Sequence, residues 1–277
     1  MADNVFWPLR TICDTRAVNY LRDIQYRDGR NLSARLELHE RFSTNRYGWH
    51  RWLFDQLMIP AGARVLELGC GSATMWGKNR DRIDPTWDVT LSDFSPRMVE
   101  ATRRALEDIN GRFHFACIDA QAIPYADARF DVVIANHMLY HVPDRERAFG
   151  EIQRVLRPDG TLYAATNGHA HLREFDELAA AVGYDHEMIL AAIEFGLETG
   201  LAQLQRFFGD VRVARYEDNL VVTQAEPLMA YIASMSTAAA LDEAAMARVR
   251  AHIESTLATH GAYRITKDAG LFTARRT

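Results

Sequence analysis

The rhythm of apolar and polar positions changes near Arg64. Upstream of it the spacing is helical. Asn31 or Ser33 is placed to cap a helix that turns Leu32, Leu36 and Phe42 inward. Trp49, Trp52, Leu53 and Leu57 form the stripe of a second helix that stops at Pro60. From Arg64 onward short apolar runs alternate with helical stretches. RVLEL, WDVTLSD, RFHFACID, FDVVIAN and TLYAAT read as strands. PRMVEATRRALEDI, with Pro96 in its first turn, and RERAFGEIQRVL read as helices, and RPDG supplies a turn into the fifth strand. Such an alternation predicts an α/β, doubly wound, mostly parallel sheet covered on both faces, with ligands beyond the carboxyl ends of its strands.

Past Thr166 a long helical insertion is expected, over about 168–210. Ile189, Ile193, Leu197, Leu201, Leu204 and Phe208 keep to one face of it, which reads as core packing or as one wall of a substrate chamber. VRVARYEDNLVVT is strand-like again, two helices follow, and YRITKDAGLFTARR reads as a strand pair bent at Gly270.

Composition narrows the class. The chain has 277 residues, 48% of them hydrophobic and 25% charged, as expected of one large α/β domain or two small ones. A net charge of −5 gives no footprint for nucleic acid. Cys13, Cys70 and Cys117 lie far apart, which argues against a disulfide framework or a metal site and for a reducing cytoplasm. The opening MADNVFWPLRTICD carries charges where a signal peptide has its apolar core, and no apolar run is long enough to span a membrane. The expectation is a soluble cytoplasmic protein, monomer or homodimer, with a small-molecule partner.

The chemistry gathers around VLELGCGSATMW. Glycines directly after a strand let a ligand approach the backbone, and a helix starting near Ser72 would favour negative charge there. Gly69 and Gly71 match a dinucleotide-binding pattern, but Thr74 replaces its third glycine and Glu67 precedes the first. A carboxylate in that place suits a cationic or zwitterionic nucleoside better than a pyrophosphate. Asp93, ending the next strand in TLSDFSP, can accept both ribose hydroxyls or cap the following helix at Ser95. Asp119 in ACIDAQAIPY can hold an adenine amino group or bond its own turn.

ELGCGSATMW, LSDFSP, CIDAQAIPY, FDVVIANHMLYHVPD and VLRPDGTLY stand in an order that resembles the class I S-adenosylmethionine-dependent methyltransferases, closest to their small-molecule (type 11/25-like) branch. The resemblance covers Ala61 to about Thr166. It implies a seven-stranded Rossmann-like sheet with an antiparallel last strand, a helical lid over 1–60, a core over 61–277, and S-adenosyl-L-methionine as cofactor. It also implies that Glu67, Gly69, Cys70 and Gly71 line the amino-acid and ribose end of that cofactor. Asp93 would take the ribose, Phe94, Asp119 and Ala120 the adenine, Asn136 the methionine portion, and Arg41 of the lid the methionine carboxylate, unless Arg41 is an exposed helix-end charge. Trp76 either presses on that pocket or packs a helix against the sheet.

The acceptor should lie at NHMLYHVPD, past the fourth strand. His137 and His141, able to share a face if the chain turns helical there, and Tyr140 are candidates for acceptor contact or proton removal. The alternative is that a histidine there satisfies a buried hydrogen bond. Asn167, His169 and His171 follow the fifth strand and face the same edge, where substrate contact is a better functional reading than metal binding. Tyr20, Tyr26, Tyr47 and Trp49 add an aromatic character suited to a flat, apolar or cationic acceptor. The reading is methyl transfer to oxygen, nitrogen or carbon of a small organic molecule. An NAD(P)-dependent oxidoreductase is disfavoured by Glu67 and the missing glycine, and a non-catalytic nucleoside-binding module by the lid-like segment and the helical insertion.

Overall fold

The computed structural model describes residues 30–182, 194–234 and 241–277. Its centre is a seven-stranded sheet of order β3-β2-β1-β4-β5-β7-β6. The strands are β1 (Arg64–Leu68), β2 (Asp88–Asp93), β3 (Phe113–Cys117), β4 (Phe130–Asn136), β5 (Leu156–Asn167), β6 (Gly209–Val222) and β7 (Tyr263–Arg275). Neighbours among β1 to β5 run parallel, while β7 runs antiparallel to both β5 and β6. The five short strands expected from sequence are all present. YRITKDAGLFTARR, however, is one continuous strand and not a pair. Gly270 lies inside it, where a Cβ would come within 2.5 Å of the Ala214 carbonyl, so the glycine serves close strand approach rather than a bend.

The described helices are α1 (Arg30–Phe42), α2 (Trp49–Asp55), α3 (Thr74–Lys78), α4 (Pro96–Ala105), α5 (Arg145–Val155), α6 (Glu174–Ala181), α7 (Gly200–Leu204), α8 (Ala225–Ala233) and α9 (Glu243–His260). Asn31 and Ser33 lie inside α1 rather than ahead of it. Pro96 does open α4, whose missing N–H costs nothing at that position. RPDG is absorbed into β5 as an irregularity, with Asp159 at φ 63°.

The central strands are buried on both faces, so their residues divide by parity. Leu66, Leu68, Val133, Ala135, Leu162 and Ala164 pack toward α5 and Phe149. Val65, Val132, Ile134, Tyr163 and Ala165 pack toward α2 and Trp76. The same parity sends Glu67, Asn136 and Asn167, at the carboxyl ends of three strands, to the α2 side. A third apolar cluster joins α1, α6, α8 and α9 to Leu220, Val222, Tyr263 and Ile265. It exists because β7 pairs with β5 only from Ala269 onward, leaving Tyr263–Asp268, still paired with β6, to project past the carboxyl edge of the parallel strands. Of the insertion stripe, Leu197, Leu204 and Phe208 are core residues, and Ile189 and Ile193 lie outside the described residues.

Candidate active site

The turn after β1 alternates in handedness. Gly69 has φ 70°, Gly71 φ 54° and Ala73 φ 53°, so the chain folds back before α3 starts at Thr74, two residues later than the sequence implied. A Cβ on Gly69 would strike Met138 at 2.7 Å, whereas one on Gly71 would meet nothing within 4 Å. One glycine is required by protein packing; the other borders open space. The turn is pinned by Cys70 N–H donating to the Ser92 carbonyl at 2.8 Å and by the Thr102 hydroxyl donating to the Gly71 carbonyl.

Glu67 is buried at this turn. Its Oε2 accepts from the Trp76 indole N–H at 2.6 Å and its Oε1 from the Asn136 amide at 3.1 Å. Burial raises the Glu67 carboxyl to about 7, the charge of Asp93 adds to the rise, and the two donors oppose it. Trp76 is fully buried, edge-on to Phe113 at 5.5 Å. It therefore packs α3 against the sheet, as the second of its two readings held, and also holds the carboxylate. The Asn136 Oδ1 is buried without a hydrogen-bond partner.

Asp93 accepts from Gly71 N–H at 3.1 Å and Ser95 N–H at 2.9 Å, which leaves lone pairs on both oxygens. Burial raises its carboxyl above the ordinary value against those donors. Asp119 bonds its own turn through the Gln121 N–H at 2.8 Å. Phe94 is 42% exposed, and Ala120 is buried.

Glu67, Asp93, Asp119, Phe94, Ala120 and Asn136, with Cys70, open onto one cavity of about 860 Å³ beyond the carboxyl ends of the strands. His137, Tyr140, His141, Trp49 and Asn167 line it too. His137 stands at φ 52°, its ring 5.3 Å from Trp49. His141 follows in a 3₁₀ turn, Leu139–His141, so the two histidines share a cavity but not a helical face. The His137 imidazole is shielded from water. Burial, helped by the charge of Lys267, lowers it to about 4.

Two expected residues lie elsewhere. Arg41 bonds Glu37 at 2.9 Å and Gln224 at 2.7 Å and is absent from the cavity wall, because the α1 helix turns it toward solvent. His169 lies beside Glu198, its backbone N–H donating to that carboxylate at 3.1 Å, and it is His171 that lines the cavity. Tyr20 lies outside the described residues. Sequence reasoning missed His50, Tyr231 and Lys267, which all line the cavity. None carries a motif; α2 brings His50 there, the stretch of β7 paired with β6 brings Lys267, and the packing of α8 brings Tyr231. Among the described residues no group of histidine, cysteine and carboxylate side chains has the arrangement to hold a metal. No described helix is long and apolar enough to cross a membrane.

Residues 66–164, which supply most of the strand-end groups just described, match a family model described as a methyltransferase domain. A ubiquinone/menaquinone biosynthesis C-methyltransferase, UbiE, of Hahella chejuensis is 34% identical over 116 residues, 41% of this chain and 47% of that protein. A 27-O-demethylrifamycin SV methyltransferase of Amycolatopsis mediterranei is 40% identical over 114 residues, 40% of each chain. The matched stretch thus spans less than half the length of these relatives. Among solved structures, a putative methyltransferase from Bacillus halodurans superposes with a TM-score of 0.56 at 15% identity, over 82% of this chain and 98% of that one. Residues 66–164 thus resemble a methyltransferase domain and lie within a seven-stranded sheet of the fold shared with that solved structure.

Proposed function

We infer that the chain transfers the methyl group of S-adenosylmethionine to a small organic acceptor bound at the histidine-lined end of the cavity. The observation that carries this is the pairing of a buried carboxylate, Glu67, with an Asn136 amide whose own oxygen lacks a partner, both at the cavity wall. A buried acceptor atom without a donor is costly, and a ligand bearing an ammonium offsets that cost. Gly71, where a side chain would enter open space, fits the same ligand.

In this reading Glu67, Gly69, Gly71 and Asn136 hold the amino-acid portion of the cofactor, Asp93 the ribose, and Phe94, Asp119 and Ala120 the adenine. The bound cofactor supplies a methyl group already activated on a sulfonium. The protein's residues then position and dehydrate. Trp49 and His137 cover the site, and α1 and α2, from the segment before residue 60, act as its lid. His137, neutral at physiological pH, accepts a hydrogen bond from the acceptor and stores no proton there.

Calorimetric titration tests this. S-adenosylmethionine and S-adenosylhomocysteine should bind and NADH should not. Asp93→Ala should weaken both nucleosides by roughly tenfold to a hundredfold, the worth of hydrogen bonds to a charged group. Binding of NADH alone overturns the reading.

A further inference from the structure

The cavity is electrically lopsided. Three of its lining carboxylates, Glu67, Asp93 and Asp119, stand at the end assigned to the cofactor. The only other one among the described residues is Glu40, paired with Lys78 at 2.8 Å. Of the lining cations, Lys78 and Arg51 are paired with Glu40 and Asp81 and Arg46 is exposed, whereas the opposite end contains a buried one. Lys267 lies on the stretch of β7 that projects past the sheet edge, and its side chain is 8% exposed.

That ammonium is only partly compensated. Its Nζ donates to Asp218 Oδ2 at 2.6 Å, but Asp218 also accepts from the Ser43 hydroxyl, the Thr44 hydroxyl and the N–H groups of Asn45 and Asn219. Although burial pushes the Asp218 carboxyl up, Lys267, Ser43 and Asn45 hold it below its ordinary value. Five donors thus share one carboxylate. An ammonium has three hydrogens, and among the described residues Asp218 is the one hydrogen-bond acceptor Lys267 uses. The face of Tyr216, 5.6 Å from Nζ, adds a weak cation–π contact. Lys267 also acts on the chamber around it. Burial lowers His50, His137 and His171, and the Lys267 charge lowers all three further. Those imidazoles are neutral near pH 7 and can each donate or accept one hydrogen bond.

The walls around this cation are flat. Trp49 presents a ring 5.3 Å from His137, and His39 and His171 stack at 6.4 Å with 23° between their planes. Tyr231 meets His39 edge-on at 5.8 Å. Rings shaped this way accommodate a planar guest.

We propose that the acceptor is a flat aromatic molecule bearing an anionic oxygen, a carboxylate or an ionised hydroxyl, and that Lys267 selects it. This rests on the far end of the cavity being the acceptor site. The ammonium meets the anion in a dry pocket, where a charge-assisted hydrogen bond is strong and a neutral guest leaves donors unpaired. The geometry also disfavours the cationic acceptor that the aromatic residues alone would suit, because Lys267 would repel it.

The test is binding of three one-ring probes, benzoate, 4-nitrophenol and uncharged nitrobenzene, to protein saturated with S-adenosylhomocysteine. One of the two acids should bind at least roughly tenfold more tightly than nitrobenzene. Selection of benzoate identifies a carboxylate; selection of 4-nitrophenol with growth of its anion absorption band at constant pH identifies an ionised hydroxyl. Lys267→Met should erase the preference and Lys267→Arg should retain part of it. Since Lys267→Met strips Asp218 of its cation, the Lys267→Met/Asp218→Asn double variant is measured beside it and should lose the preference equally. Equal binding of all three probes, no binding of either acid, or an anion preference that survives in the double variant overturns the proposal. Failure of S-adenosylhomocysteine to bind refutes methyl transfer instead, and the same titrations on ligand-free protein then still decide the role of Lys267.

Discussion

A carboxyl group raised to about 7 sits where a cation should bind, and this makes Glu67 a pH-dependent element of affinity. Raising the pH through about 7 removes its proton, so the affinity for S-adenosylmethionine should climb by up to roughly tenfold between about pH 6 and about pH 8. Titration calorimetry across that range should find the climb gone in Glu67→Gln. Trp76→Phe keeps most of the packing and removes the donor 2.6 Å from Oε2. It should cost about 1–3 kcal/mol in urea unfolding and move the climb to higher pH. At this scale much was legible. Glu67 announced itself by preceding the glycines, and Asp93 by ending the next strand. Trp76 was legible as a wall of the pocket or as packing but not as a donor, because its bond to Glu67 depends on a rotamer. Arg41 was misplaced because an arginine near a site looks alike whether it points in or out. His169 and His171 could not be told apart until the strand end fixed which of them faces the cavity.

The turn after β1 shapes the end of the cavity proposed for the cofactor, and its two glycines should respond differently to one substitution. Gly69→Ala drives a Cβ into Met138 from a left-handed backbone, and should lower stability by more than the roughly 1–2 kcal/mol of conformational strain alone. Gly71→Ala carries the strain without the clash and should stay folded, yet bind S-adenosylhomocysteine at least roughly tenfold more weakly, since its methyl enters the space the ligand needs. Thermal unfolding and calorimetry on the pair separate the two effects. If both variants bind like the parent, the turn does not cradle the cofactor. The five parallel strands were readable as apolar runs of the right length. Their register was not, because strands buried on both faces lack the alternation that marks which side a residue takes. The meeting of Glu67 with Asn136 is a product of that register. The length of β7 was hidden by Gly270, which reads as a break in a chain but here allows two backbones to approach.

Across the whole molecule, buried neutral histidines set how the fold meets acid. His50 and His137 are both lowered to about 4 by burial, from an ordinary value of 6.5. A lowered folded-state value means that the unfolded chain binds more protons, so stability falls as pH drops from about 6.5 through about 4. Glu67 works the other way, its neutral form being favoured in the fold, with stability lost as pH rises from 4.5 to about 7. Urea unfolding of His137→Asn, a residue that tolerates the left-handed backbone, isolates one contribution. Relative to the parent it should gain up to about 3 kcal/mol between about pH 7 and about pH 4. A difference that does not change with pH would show that His137 is not buried in its neutral form.

The position of β7 has a consequence for synthesis. Among the described strands Tyr263–Arg275 is made last, yet it wedges between two strands made earlier. A nascent chain halted at Gly261 can already assemble the five parallel strands, but β6 then has no sheet neighbour and Asp218 has no lysine. The cavity wall on β1, β2 and β4 can thus form before β7 is made, whereas Lys267 joins that wall only with a strand that threads into a gap.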